Sequence, residues 1–269
     1  MSKVEWEPPA AKAAGRIHLE SSAMKIVAFI PARFGSTRFR GKPLAQIAGK
    51  PMIQHVYERA LLCPELSAVY VATDDQRIEA CVSGFGGKSV ITGKEHPSGT
   101  DRIAEAAIKM GLDDETIIVN IQGDQPTFHP SAISQLVRPL LEDRTIVMTT
   151  LKYKITDPAE VHNPNHVKVV TDRADFALYF SRCPIPFFRG ANSETVHYKH
   201  LGFYAFRMKF LIHFTRLSEG TLESAEKLEQ LRALEHGFKI KVIETLYDSV
   251  EVDVAEDKER VEAMLRPAL

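Results

Sequence analysis

The chain is expected to fold as an α/β protein on a parallel sheet, and three observations carry that expectation. Compact β-rich runs alternate with segments of helical periodicity through the first half. At 269 residues and 44% hydrophobic, the chain can bury the core of one large domain. Polar motifs also recur directly after strand-like runs, where ligands bind in open parallel sheets.

The elements follow in order. KIVAFI (25–30) is a buried strand and PMIQHVYERALLC (51–63) a helix with Ile53, Val56 and Ala60 along one side. AVYVAT (68–73) is a strand, and DQRIEACVSGF (75–85) a helix ending near glycine. KSVIT (88–92) is a strand, and TDRIAEAAIKMG (100–111) a helix with a glycine stop. TIIVNIQ (116–122) is a strand, and HPSAISQLVRPLLED (129–143) a helix starting near Pro130. This order favours a parallel sheet covered by helices. The second half is less regular. TIVMTTLKY (145–153), HVKVVTD (166–172), FALYFSR (176–182), HLGFYAFR (200–207) and KIKVIETL (239–246) read as strands. Residues 208–217, 224–237 and 255–265 read as helices, and the proline-broken stretch 157–166 is the best internal boundary.

Lys plus Arg total 34 against 35 Asp plus Glu, a balance that argues against a nucleic-acid coat or a polybasic membrane binder. No apolar run approaches the roughly 20 residues that span a bilayer. Three cysteines without a CxxC pair favour a reduced cytosolic setting over a disulfide framework or a zinc site. Residues 1–23 lack the apolar centre of a secretory signal and are expected to be a dispensable, disordered or non-native extension.

The first polar motif is IPARFGSTRFRGKPL (30–44). Five residues separate Gly35 from Gly41 and Pro43 follows Lys42, so it is not a Walker A loop; the G-x-G-x-x-G fingerprint of nicotinamide enzymes is absent too. Arg grips phosphate in a bidentate fork and Lys acts as a point charge. A solvated basic loop is the competing reading, and the position after the first strand favours phosphate. In NIQGDQP (120–126), Asp124 at a strand end suits Mg²⁺ or merely a turn. In SVEVDVAED (249–257), Asp253 suits either a metal or a helix start, and Asp257 could equally serve the helix start. In HPSGTDR (96–102), Ser98 or Thr100 suits a helix cap, with Arg102 toward a ligand as the alternative. Glu229 and Gln230 suit a solvated helix face unless that edge borders a pocket.

Together these strings, with VATDD (71–75), NPNHVKVV (163–170), ALYFSR (177–182), KHLGFYAFR (199–207) and LEQLR (228–232), resemble the 3-deoxy-manno-octulosonate (KDO) cytidylyltransferase family from about residue 25 to 260. The resemblance implies a Rossmann-like nucleotide-diphospho-sugar transferase fold. That fold has a mostly parallel central sheet, helices on both faces and a smaller mixed β subdomain. Residues 24–269 would form one cytidylyltransferase domain, with a substrate and dimerisation subdomain within about 153–207. It implies CMP transfer from CTP to KDO with release of pyrophosphate, for lipopolysaccharide biosynthesis, by a cytoplasmic, magnesium-dependent homodimer using two ions during catalysis. By matching position, Arg33, Arg38 and Lys42 would face the triphosphate, and Ala72, Thr73, Asp74, Ser98 and Thr100 the cytidine. Asp124 and Asp253 would hold metal, and Arg102, Gln122, Arg182, His200, Tyr204, Glu229 and Gln230 would surround KDO. Arg33, Lys42 and Asp124 would be catalytic. The chain departs from the family where Gln125 replaces a common glutamate, Arg40 a common proline, and VDVAED the more usual VDTPED. Other sugar acids, or a nucleotide-binding regulator without turnover, are the competing functions.

Overall fold

A computed structural model of the chain describes residues 24–35, 39–190, 196–254 and 257–265. Arg38, expected at the triphosphate, and the N-terminal extension 1–23 lie outside the described residues.

β1 (Ile26–Ala32) leads through a 3₁₀ turn at Lys42–Leu44 into a two-stranded ribbon, β2 (Gln46–Ile47) and β3 (Lys50–Pro51), and then α1 (Met52–Leu61). β4 (Ala68–Thr73), α2 (Gln76–Gly84), β5 (Ser89–Ile91), α3 (Gly99–Lys109), β6 (Ile117–Asn120) and α4 (Pro130–Glu142) complete the first half. The second half holds β7 (Met148–Lys154), α5 (Pro158–His162), β8 (Lys168–Thr171), β9 (Ala177–Ser181), β10 (Tyr198–Arg207), α6 (Met208–Phe214), α7 (Thr221–Glu226), α8 (Leu231–Glu235), β11 (Lys241–Thr245) and α9 (Asp257–Leu265).

The sheet runs β11-β7-β10-β6-β1-β4-β5, with β8 pairing β10 and β9. β5, β4, β1 and β6 are parallel, as the βα alternation predicts; β10 runs antiparallel between β6 and β7. Alternation along β1 shows why both faces carry helices. Ala28 and Ile30 pack with Ile53 and Val56 of α1 and Ile133 and Leu136 of α4. Val27 and Phe29 pack with Ile103 of α3, Phe210 of α6 and Leu231 of α8. A strand buried on both sides reads as a continuous apolar run.

The predicted helix over 224–237 is broken. α7 ends at Lys227, whose φ of 52° is left-handed, and α8 starts only at Leu231. Tertiary contacts override the helical periodicity. The Glu226 carboxylate accepts from Ser181 Oγ at 2.7 Å and from the Arg182 amide at 2.9 Å. The Glu229 carboxylate accepts from Ser98 and Thr100 hydroxyls, each at 2.7 Å. The stretch read as a boundary, 157–166, contains α5, and Glu160 there pairs with buried Lys199 of β10 at 2.9 Å.

Candidate active site

The parallel strands end on one rim, and the polar motifs meet there. β1 delivers Arg33, β4 delivers Thr73 and Asp74, and β6 delivers Gln122, Gly123 and Asp124. A side chain at Gly123 would meet the Pro31 carbonyl oxygen at 3.0 Å, so the two strand ends approach this closely only with glycine there. Gly41, at φ +72°, donates its amide to the Phe34 carbonyl at 3.0 Å and closes the opening loop. The 3₁₀ turn that follows presents Lys42. Arg40 lies with its guanidinium 5.8 Å from the Phe34 ring centre, which gives that cation a packing contact.

Lys42 Nζ bonds Asp124 Oδ2 at 2.7 Å and Asp253 Oδ1 at 3.4 Å. The two carboxylates come from segments far apart in sequence, joined by the Val252 amide donating to the Asp124 carbonyl at 2.9 Å. Asp257 takes the capping role left open between the two acids of this segment: its carboxylate accepts the amides of Asp253 and Val254. Asp253 is thereby oriented toward Lys42.

Two cavities meet at this pair. One, of about 260 Å³, is lined by Arg33, Lys42, Ser98, Gly99 and Arg102. The other, of about 460 Å³, is lined by Asn165, Val167, Arg182, Gly202 and Glu251. Gln122, Asp124 and Asp253 line both. Gln122 is fixed between them, its Nε2 donating to the Gly202 carbonyl at 2.8 Å. In the first cavity Ser98 caps α3, accepting the Asp101 amide, so the helix-cap reading of Ser98 holds structurally. The buried Arg102 guanidinium donates to Thr92 Oγ1 at 2.6 Å and lies 3.3 Å from Asp74 Oδ1. It therefore sits with the residues expected around cytidine rather than with those of the second cavity. In that second cavity, Arg182 is braced by the carbonyls of Pro164, Glu226 and Lys227.

Ala72 and Thr73 are buried at the end of β4. His200, Tyr204, Glu229 and Gln230 line neither of these two cavities. Glu229 lies behind the α3 N-terminus, between Ser98 and Thr100 on one side and Tyr204 on the other. Burial and then the Glu229 carboxylate raise the Tyr204 hydroxyl well above its ordinary value. Glu229 itself is raised by burial, against the bonds from Ser98 and Thr100. His200 bonds Thr150 Oγ1 at 2.9 Å through Nε2, and its ring lies against Phe180 and Tyr204. Although an edge of the residue stays accessible, burial pushes the imidazole from 6.5 down to about 3. It is neutral at neutral pH.

A stability prediction follows from that burial. Between about pH 6.5 and 3 the unfolded chain binds a proton that native His200 refuses. Stability is therefore lost as pH falls, by at most about 1.4 kcal/mol per unit. His200→Gln is expected to flatten the dependence of Tm on pH between 6.5 and 4. Parallel curves for the two proteins would mean that His200 is protonated in the native state.

The sequence reading missed Glu251. Gln125, 1% exposed, donates Nε2 to Glu251 Oε1 at 2.9 Å. Burial, then the carboxylates of Asp124 and Asp253, push Glu251 up to about 7. Accessible surface remains on Glu251 because it faces an open cavity. The one signal in the chain was the neutral Gln125 beside Asp124; its acidic partner lies 126 positions away.

A parallel-sheet rim with two cavities sharing an aspartate pair, each lined by at least one cation, suits the joining of two anionic substrates, and the comparisons make the chain a nucleotidyltransferase. The model of a family described as "Cytidylyltransferase" matches residues 27–242. Over 241 residues the chain is 55% identical to a 3-deoxy-manno-octulosonate cytidylyltransferase of Syntrophus aciditrophicus, covering 90% of this chain and 97% of the relative. It is also 54% identical over 244 residues to an 8-amino-3,8-dideoxy-manno-octulosonate cytidylyltransferase of Shewanella halifaxensis, covering 90% and 99%. A solved structure of CMP:2-keto-3-deoxy-manno-octonic acid synthetase complexed with CTP superposes with a TM-score of 0.84 at 43% identity, covering 90% of this chain and 98% of the other. The chain belongs to the cytidylyltransferase family and, within it, to the 3-deoxy-manno-octulosonate cytidylyltransferases.

Proposed function

We propose that the protein transfers CMP from CTP to the 2-hydroxyl of 3-deoxy-manno-octulosonate, releasing pyrophosphate. The observation that carries this reading is the meeting of two cavities at Asp124 and Asp253. A donor in one and an acceptor in the other would present their reacting atoms to the same carboxylates. CTP suits the cavity rimmed by Arg33, Lys42 and Arg102, and the sugar acid suits the cavity reached by Arg182. The relatives' names leave two acceptors, KDO and its 8-amino-8-deoxy counterpart.

Asp124 and Asp253 fit Mg²⁺: two partly accessible carboxylates, brought together from distant segments, already share one cation in Lys42. When bound there, Mg²⁺ would supply Lewis acidity that lowers the pKa of the acceptor hydroxyl and neutralises charge at the α-phosphate; a second ion would travel with the triphosphate. The chain's residues do the rest. Arg33 and Lys42 hold the phosphate oxygens and stabilise the charge that grows as pyrophosphate leaves. Gln122 fixes the wall between the two substrates. The acceptor oxygen forms a bond to the α-phosphorus, the bond from that phosphorus to the bridging oxygen of pyrophosphate breaks, and the hydroxyl proton passes to solvent. No side-chain nucleophile is required.

Pyrophosphate release in CTP, Mg²⁺ and KDO tests the reading. Binding of CTP without release would favour a regulatory nucleotide-binding protein. The activity would supply lipopolysaccharide biosynthesis in the cytoplasm. A homodimer built on the 153–207 region agrees with exposed apolar residues there: Leu178 of β9 is 62% exposed and Phe187 88%. Phe187→Asp is expected to shift the sedimenting species toward monomer at micromolar concentration; an unchanged dimer would move the interface elsewhere.

A further inference from the structure

We propose that Glu251 is a specificity-determining residue of the acceptor cavity and selects a sugar acid bearing an ammonium group over its hydroxyl counterpart. The proposal rests on the reading of the second cavity as the acceptor site.

Glu251 lines the second cavity and not the first, whereas Asp124 and Asp253 line both. It is therefore on the acceptor side of the shared aspartates. Its position is set from behind. Gln125 is buried, and its side-chain amide holds Glu251 Oε1 at 2.9 Å, leaving Oε2 for other partners. The carboxylate of Asp124 has Lys42 at 2.7 Å and that of Asp253 has it at 3.4 Å. Among the described residues Glu251 has no ion pair; its hydrogen-bond partner is an uncharged amide. Glu251 keeps accessible surface facing the cavity, so a cation arriving with a ligand can reach a carboxylate that no close ion pair already holds. An anionic acceptor would gain nothing by placing its own carboxylate there. Arg182, on the same cavity, is the complementary group for that end, since three of its five N–H donors are engaged by carbonyls.

The geometry of the acceptor supports the pairing. In the pyranose form of an eight-carbon 2-keto sugar acid, C2 and C6 flank the ring oxygen. The exocyclic C7–C8 chain on C6 is thus close to the reacting centre rather than at the far end of the molecule. A carboxylate beside Asp124 and Asp253 is within reach of an amine on C8 while the 2-hydroxyl addresses the aspartates. A hydroxyl at C8 would donate one hydrogen bond to the Glu251 carboxylate; an ammonium would bring three donors and an opposite full charge to the same contact.

The test compares kcat/KM for 3-deoxy-manno-octulosonate and its 8-amino-8-deoxy counterpart, with saturating CTP and Mg²⁺, in the full-length wild type, Glu251→Gln and Glu251→Lys. The wild type is expected to prefer the amino acceptor. Glu251→Gln should lower the amino-to-hydroxyl ratio about tenfold, and Glu251→Lys should lower the ratio further. Thermal melts with and without CTP confirm that each variant is folded, and the second variant keeps the comparison open if one is not. An unchanged ratio overturns the proposal. So does an equal fall for both acceptors with a raised Mg²⁺ requirement, which would make Glu251 a support of the aspartates. If the wild type turns over neither acceptor, the acceptor-site reading itself fails, and the proposal with it.

Discussion

Asp124→Asn is expected to lower kcat on the order of a thousandfold while leaving the fold intact. The side chain is 29% accessible at the rim, and its ion pair with Lys42 is partly solvated. Pairs of this kind contribute about 1 kcal/mol or less, which for a chain of this size shifts Tm by a few degrees. Opposing that loss, the substitution removes one of three carboxylates crowded at the site, Asp124, Asp253 and Glu251; Glu251 is raised by burial first and then by the other two. Net stability should therefore be unchanged or slightly higher. Catalysis gains nothing in return. An amide keeps the shape but supplies no negative charge for the divalent cation proposed there. Two measurements check this together. Mn²⁺ binding, followed by electron paramagnetic resonance in the presence of CTP, should weaken markedly, and the thermal melt should not. Near-normal turnover in Mg²⁺ would rule out Asp124 as the proposed metal ligand.

Lys42→Ala carries the second large effect, a fall in kcat of about a hundred- to a thousandfold, the usual range for removing one group that stabilises transition-state charge. Its informative feature is a change of opposite sign elsewhere. Lys42 Nζ occupies the space between Asp124 and Asp253 in the free protein, at 2.7 and 3.4 Å. Removing it strips a competing cation from both carboxylates. The free variant, without CTP, should therefore bind Mn²⁺ more tightly than the wild type even as turnover collapses. A residue with a merely structural role would lower Tm and activity together and leave metal affinity unmoved. Unchanged Mn²⁺ affinity in the folded variant would mean that the ammonium does not contest the metal position.

Much of this architecture was legible in the chain because local and global preferences agree in its first half. Each strand of the parallel set is a short apolar run followed by an amphipathic helix, and each site motif falls just after a strand. Position along the chain thus became position on the rim. The second half was harder for a physical reason. Lys227 takes a left-handed conformation inside what reads as one helix from 224 to 237, because Glu226 and Glu229 are drawn to opposite partners, Ser181 and Arg182 on one side and Ser98 and Thr100 on the other. Helical periodicity records burial, not such long-range bonds. The same limit hid Glu251. In SVEVD it reads as a polar position in an alternating stretch, and only the fold brings it against Gln125 and the two aspartates. Arg102 shows a third form of the limit: its motif placed it near a ligand, while its grouping with Thr92 and Asp74 depends on how α3 docks against the ends of β4 and β5.

The central claim is that the shared aspartates join a nucleotide cavity to a sugar-acid cavity for a single in-line transfer. It is tested most directly by ³¹P NMR of the purified wild type with CTP, Mg²⁺ and the two octulosonate acceptors in separate samples. The account predicts that the CTP signals give way to pyrophosphate and one new phosphodiester resonance, in equal amounts, only when an acceptor is present. Loss of CTP without that phosphodiester, or no reaction with either acceptor in a protein that binds CTP, would contradict it.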